Sequence, residues 1–313
     1  MKATREAGGS YEDLIRARRR LSSTNLYFRA YRAKDGEALW TNKAYSGPAM
    51  LHHDTILMAG KGCNLLTGEI KMRAHPLSGE LVEWTWSRNY GCNTPMASEN
   101  LLTFRSGAAG YFDLCNDGGT GNFGGFRSSC TNNLVVAGGI LTAPDYTRTC
   151  TCSYQNQTSL ALVPMSDLEV WTSFGSQSPK QAIRHVGINL GAPGDRKADD
   201  GKLWLEYPSV GGSSPALDIS VTPAKPTWYR RHSSQITGDG LSWVASSGAE
   251  GLTSVKIKLG TAGDKPQTYT LRLHFAELGD VEPGQLRLDD AGRPAPLALP
   301  FAFALSGGGL GEG

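Results

Sequence analysis

The chain has 313 residues, enough for one large domain or two ordinary ones. Its charge is nearly balanced, at +2, and only 19% of its residues are charged, so no basic field marks a nucleic-acid binder. No apolar run reaches the roughly 18 residues of a membrane helix, and no signal peptide is visible. Glycine is abundant, with 39, which favours an all-β chain rich in turns over a helical one.

Residues 1–24 read as a helical or linker segment. Within it, 11–20 carries a short amphipathic pattern, EDLIRARRR. Strand signals begin with LYFRAYRA from Leu26, which leads into Lys34-Asp35-Gly36-Glu37-Ala38-Leu39-Trp40. A related phrase recurs at Leu77-Ser78-Gly79-Glu80-Leu81-Val82-Glu83-Trp84, and a shorter one lies between them at Leu66-Thr67-Gly68-Glu69-Ile70. The two tryptophans are 44 positions apart. A period of about 40–45 residues indicates a propeller or solenoid array. Each Gly-Glu places a tight turn between two strands, and the tryptophan that follows is expected to pack between neighbouring blades. The structural repeat residues are thus Gly36, Trp40, Gly68, Gly79 and Trp84.

The clearest strands lie between Tyr90 and Pro164. LLTFRS, GYFDL, NLVVA, ILTAP and SLALVP are short apolar runs separated by Gly, Asn, Asp and Ser, the pattern of antiparallel strands. Gly138-Gly139 is a two-residue hairpin signal. The glycines of 118–125 lack the Lys-Ser/Thr and the helix of a phosphate cradle, so this stretch reads as an inter-strand loop. A connector spans 165–185. Beyond it come Gly187-Ile188-Asn189-Leu190-Gly191, then Asp195, then Asp200-Gly201-Lys202-Leu203-Trp204. Further on, Val255–Leu259 and Tyr269–Glu277 alternate apolar and polar residues, as half-buried strands do.

These phrases carry two resemblances. Asp/Thr-Gly-Glu-x-x-Trp resembles the tryptophan-docking motif of the PQQ-like β-propeller repeat, and residues 25–164 resemble the last blades of a bacterial PQQ-binding-like propeller. Such a propeller closes with about seven or eight blades, whereas 140 residues make three or four, so the chain reads as the C-terminal portion of a longer protein. The INLG…D…DG-x-x-W opening and the YTLRLHFAEL strand, over residues 186–285, resemble a malectin-like carbohydrate-binding domain. The tail after it turns Ala/Pro/Gly-rich and lacks the Phe-Asp phrase of that family, so the end of 186–313 reads as truncated or altered. The expected fold is all-β: a partial propeller of antiparallel blades, then a malectin-like β-sandwich of the jelly-roll kind.

The resemblances imply a non-catalytic, extracytoplasmic, periplasmic or cell-surface protein that binds glycan. Protein partners on the propeller face are a further expectation, and no cofactor is expected. The alternatives are a fragment of a PQQ-dependent oxidoreductase, with a calcium-bound quinone, and a protein-interaction scaffold. Aromatic faces stack on sugar C–H faces while carboxylates hold hydroxyls, which makes Asp199, Asp200, Trp204, Tyr207, Trp228 and Tyr229 the candidate sugar residues. Core packing is the competing reading for Trp204 and Trp243. For calcium, Asp113, Asp117, Asn122 and Asp145 are available, with no spacing that singles out a calcium loop. Cys92, Cys130, Cys150 and Cys152 form a candidate disulfide or metal cluster, with buried thiols as the third reading. Cys63 and Cys115 read as ordinary strand cysteines. No histidine, nucleophile or carboxylate pair has workable catalytic spacing.

Overall fold

The computed structural model describes residues 27–43, 49–58, 60–92, 94–129, 132–145, 158–165, 168–260, 267–276 and 301–307. The helix expected over 11–20 lies outside them. The described residues are all-β, built from many small, mostly antiparallel sheets. One helical turn, α1 (Ser242–Ala245), and one 3-10 turn, Ser233–Gln235, complete the elements. The chain divides into two compact units, with the boundary between Lys71 and Met72.

In the first unit, β1 (Tyr27–Tyr31) and β2 (Ala38–Lys43) form a hairpin. The strands β3 (Met50–His52), β4 (Thr55–Met58) and β5 (Lys61–Asn64) form an antiparallel meander. Ile56, Met58 and Cys63 are its core, with Phe28, Trp40 and Leu65 packed against them.

The second unit opens with a hairpin of β6 (Met72–Ala74) and β7 (Leu81–Glu83). Next come β8 (Met96–Ala97), β9 (Leu101–Ser106), β10 (Ala108–Asp113) and β11 (Thr120–Asn122), a four-strand meander. A second meander joins β12 (Val135–Ala137), β13 (Ile140–Ala143) and β14 (Leu160–Leu162). Gly138 and Gly139 close the first hairpin of that meander with φ of 58° and 78°, as a type I′ turn requires. All five apolar runs between 101 and 162 are strands, and every pairing among them is antiparallel. The Gly-rich stretch differs from expectation, since it contains β11. Gly121 lies under the Tyr111 ring, where an added Cβ would meet the ring at 2.5 Å. Glycine therefore permits a strand here by leaving room for its neighbour.

The connector adds β15 (Thr172–Ser173), which pairs with β11. The remaining strands are β16 (His185–Leu190), β17 (Arg196–Lys197), β18 (Leu203–Tyr207), β19 (Asp218–Thr222), β20 (Thr227–Arg230), β21 (Ser247–Glu250), β22 (Ser254–Lys258), β23 (Tyr269–Phe275) and β24 (Phe301–Gly307). A five-stranded sheet runs β17-β18-β16-β24-β23, antiparallel except for the parallel pair β16 and β18. The Ala/Pro/Gly-rich tail thus supplies β24, between β16 and β23. Val186, Ile188 and Leu190 of β16 share a core with Leu203 and Leu205 of β18, and Ile219, Val221, Val255 and Ile257 of the β19–β22 pair pack against it.

Two residues from outside this half enter the same core: Leu77, from the turn before β7, and Phe174, just after β15. The connector is hydrogen-bonded to that turn along its length. His75 Nδ1 accepts from Leu77 N–H, so its Nε2 carries the proton and donates to Gln177 O at 3.0 Å. Lys180 N–H donates to Glu80 Oε1 at 2.7 Å, and Arg184 N–H to Leu77 O at 2.7 Å. The half-burial expected of YTLRLHF is not seen. Leu271 and Leu273 are 55% and 42% exposed, because alternation fixes which face a side chain takes but burial needs a layer over that face. Among the described residues β23 is an edge strand.

The three Gly-Glu phrases close their turns in one way. Arg32, Asn64 and His75 N–H donate to Glu37, Glu69 and Glu80 O at 2.8, 2.8 and 2.7 Å, while Gly36, Gly68 and Gly79 N–H donate back to the first residue. The glycines have φ of 74°, 73° and 74°, a left-handed conformation that costs glycine nothing. Asp35, Thr67 and Ser78 each accept from the glutamate N–H. A fourth turn, after β10, follows the plan with one more residue: Asp113 N–H donates to Gly119 O, and Asp113 Oδ1 accepts from Cys115 and Asn116 N–H. In each unit a tryptophan docks on such a turn. The Trp40 ring covers Gly68, and its Nε1 donates to Leu65 O at 3.1 Å. Trp84 Nε1 donates to Asp117 Oδ1 at 2.9 Å, and Arg73, 8% exposed, donates to both oxygens of Asp117 at 3.0 Å.

Candidate functional site

The aromatic residues expected to meet sugar are divided by the fold. Trp204 is 2% exposed, covering Gly187 on the neighbouring parallel strand and meeting Trp243 and His274 edge to face at 5.6 and 5.4 Å. It is a core residue, with no open ring face. Tyr207 and Trp228 meet at 6.2 Å and pack against the main core. Tyr229 lies over Gly248 on the paired strand and donates to Ala245 O at 3.4 Å; burial, then Glu250, pushes its phenol up. Asp200 pairs with Lys202, whose backbone N–H holds it below the usual carboxylate range. Asp199 is exposed and lines a cleft, described below.

Cys92 is an exposed free thiol, 3.3 Å from Tyr90 Oη and 3.9 Å from an Arg105 nitrogen. Cys130, Cys150 and Cys152 lie outside the described residues. Cys63 is a buried thiol in β5, raised by burial, as a strand cysteine would be. Cys115 is instead in the turn after β10, where its N–H caps Asp113. Of the carboxylates considered for calcium, Asp113 accepts from its own turn and Asp117 is held by Arg73 and Trp84. Among the described residues no group of three or more His, Cys, Asp or Glu is placed to hold a metal ion.

What the fold does bring together is a cleft of about 400 Å³, formed by the turn after β10, the strand β15, and β17 with the loop after it. Asp113 and Asn116 line one side, and Arg196, Lys197 and Asp199 the other. Asn116 Nδ2 donates to Asp113 Oδ2 at 3.2 Å, and Lys197 Nζ donates to Asn116 O at 2.9 Å. The Arg196 guanidinium lies over Trp243 at 4.6 Å and over Trp171 at 5.9 Å. Burial pulls its pKa down, while Glu169, Asp199 and Tyr111 favour the charged form, and a guanidinium starts high enough to stay charged. Burial also pulls Glu169 up, but hydrogen bonds from Ser233 and from Trp171 Nε1 outweigh it and hold the carboxylate below its usual range. Tyr111, beside the cleft, is pushed up to about 12 by burial and Asp113 and stays protonated.

Asp195, the residue before Arg196, is fully buried. Oδ2 accepts from Phe174 N–H and Ser214 Oγ, and Oδ1 from Glu206 N–H. One carboxylate thereby ties the connector, β18 and the 214 loop, which fixes the strand carrying Arg196. Burial raises it to about 6 against those three donors.

The sequence did not single out Arg196, Lys197, Trp171 or Asn116 as site residues. Their segments are far apart in the chain, and nothing local marks their convergence. The one local signal was the Asp195-Arg196-Lys197 run, separated by three residues from the INLG phrase. No family model matches the chain, and neither a curated protein nor a solved structure matches it.

Proposed function

We propose that the chain is a non-catalytic binding protein of the extracytoplasmic space or cell surface. Its first part is a section of a PQQ-like propeller, its second a malectin-like sandwich, and the cleft beside β17 holds a short glycan. Two features support the propeller reading: the Gly-Glu turns share one hydrogen-bond plan, and Trp40 and Trp84 each dock on a later turn. The shared core of the β16–β18 strands and the β19–β22 pair supports the sandwich reading.

The observation that carries the glycan reading is the cleft lining. Asp113, Asp199, the Asn116 amide, Arg196 and Lys197 offer acceptors and donors around one space of about 400 Å³. Hydroxyl-rich ligands are held by such convergent polar groups, set in a pocket of roughly 300–1,000 Å³. The expected Kd for a short oligosaccharide is weak, on the order of 10 μM to 1 mM. The test is calorimetric titration of the full chain with a panel of neutral and acidic tetrasaccharides. Saturable binding of at least one sugar, weakened severalfold by Asp199→Ala, supports the reading. No heat from any glycan at about 10 mM, in a chain with a cooperative thermal transition, contradicts it.

A further inference from the structure

Arg196 is placed as an anion receptor. Its guanidinium lies over Trp243 at 4.6 Å and 5.9 Å from Trp171, two rings that meet edge to face, and is partly removed from water, yet no hydrogen-bond acceptor for its N–H groups is found among the described residues. Glu169 lies near enough to favour its charge, but the Glu169 oxygens accept from Ser233 N–H and Trp171 Nε1 and make no hydrogen bond to the guanidinium. Arg196 lines the cleft beside these rings with its N–H donors untaken, and a planar fork with parallel donors matches a carboxylate in two hydrogen bonds. Lys197, the next residue, adds a second positive charge to the same wall.

We propose that the glycan held in the cleft is an acidic one, a uronate whose ring carboxylate is gripped by Arg196 while Asn116 and Asp199 meet its hydroxyls. This rests on the glycan reading above and deepens it. Two acidic side chains share the cleft, and their repulsion must be weighed. The Asp113 carboxylate is turned into its own turn, where it accepts from two backbone N–H donors and the Asn116 amide. Asp199 is exposed, where water and salt screen its charge, whereas the fork contact is direct and partly desolvated. The fork therefore dominates for a carboxylate seated against it. A neutral sugar leaves the guanidinium edge without an acceptor, which is how a polar site rejects a ligand lacking the matching group.

The experiment is a competition by ligand type on the full chain, at low and at moderate salt. The arms are tetragalacturonate, tetraglucuronate, neutral galacto- and gluco-tetrasaccharides, and tetraglutamate as a carboxylate source without sugar. The expected result is that one uronate binds at least tenfold tighter than its neutral counterpart and than the peptide. Arg196→Lys, which keeps the charge but loses the fork, brings the uronate-to-neutral ratio towards one. An Arg196→Lys chain that keeps the wild-type cooperative thermal transition and its affinity for the neutral sugar guards against a folding defect. Neutral sugars binding as well as uronates overturn this inference and leave the glycan reading standing. Peptide binding equal to uronate overturns the sugar class. Absence of binding in every arm overturns both.

Discussion

Gly36 and Gly68 occupy the same position of the same turn, with φ of 74° and 73°, but only Gly68 is covered by a tryptophan. A Cβ at Gly68 would stand 2.6 Å from the Trp40 ring, while one at Gly36 meets nothing within 4 Å. Gly36→Ala should cost about 1–2 kcal/mol, the left-handed backbone penalty alone. Gly68→Ala should cost about 1–3 kcal/mol more, because a packed ring must move. Equal midpoint shifts in urea unfolding would show that Trp40 does not dock there. Asp195 offers a pH test. A carboxyl whose folded value, about 6, exceeds its unfolded value gives stability that is present at low pH and lost as pH rises through the folded value. The stability of wild type relative to Asp195→Asn should therefore fall by about 3 kcal/mol between about pH 4 and pH 7. A pH-independent difference, followed by urea unfolding at each pH, would contradict the burial argument.

The turns were the most legible elements, because a positive φ demands glycine and the Gly-Glu pair writes that demand into the sequence. The fourth turn was not legible, since the Asp113 side chain caps it and Asp117 takes a left-handed φ of 51°, with an extra residue and no Gly-Glu. For the same reason the partner of Trp84 was hidden: Trp84 docks on Asp117, which read as a loop carboxylate. Arg73 is the energetic centre of that dock. Asp117→Ala would leave a buried guanidinium without its partner and should cost about 3–5 kcal/mol. Trp84→Phe removes one hydrogen bond and leaves the ion pair, and should cost about 1–3 kcal/mol. Thermal unfolding of the two variants checks the order, and a smaller loss for Asp117→Ala would mean that Arg73 finds another acceptor.

At the scale of the molecule, all-β character was legible from glycine content and short apolar runs. The attachment of the connector was not, because it depends on Leu77 and Phe174 entering a core whose other members lie beyond residue 180. A piece spanning 180–313 lacks both and should lose roughly 4–8 kcal/mol relative to the same residues in the full chain. Its far- and near-ultraviolet circular dichroism should show no cooperative transition, whereas a cooperative unfolding curve would mean that the core closes without them. The cleft was illegible for a related reason: its walls come from near 113–118, 170–172 and 196–199, and only the folded chain brings them together. The measurement that tests the account most directly is a crystal structure of the full chain with a uronate tetrasaccharide at about 10 mM, well above the expected Kd. The account predicts a sugar ring in the cleft beside β17, with its carboxylate in two hydrogen bonds to Arg196. A sugar seated instead on Tyr207 and Trp228, or an empty cleft in a crystal that admits ligand, would contradict it.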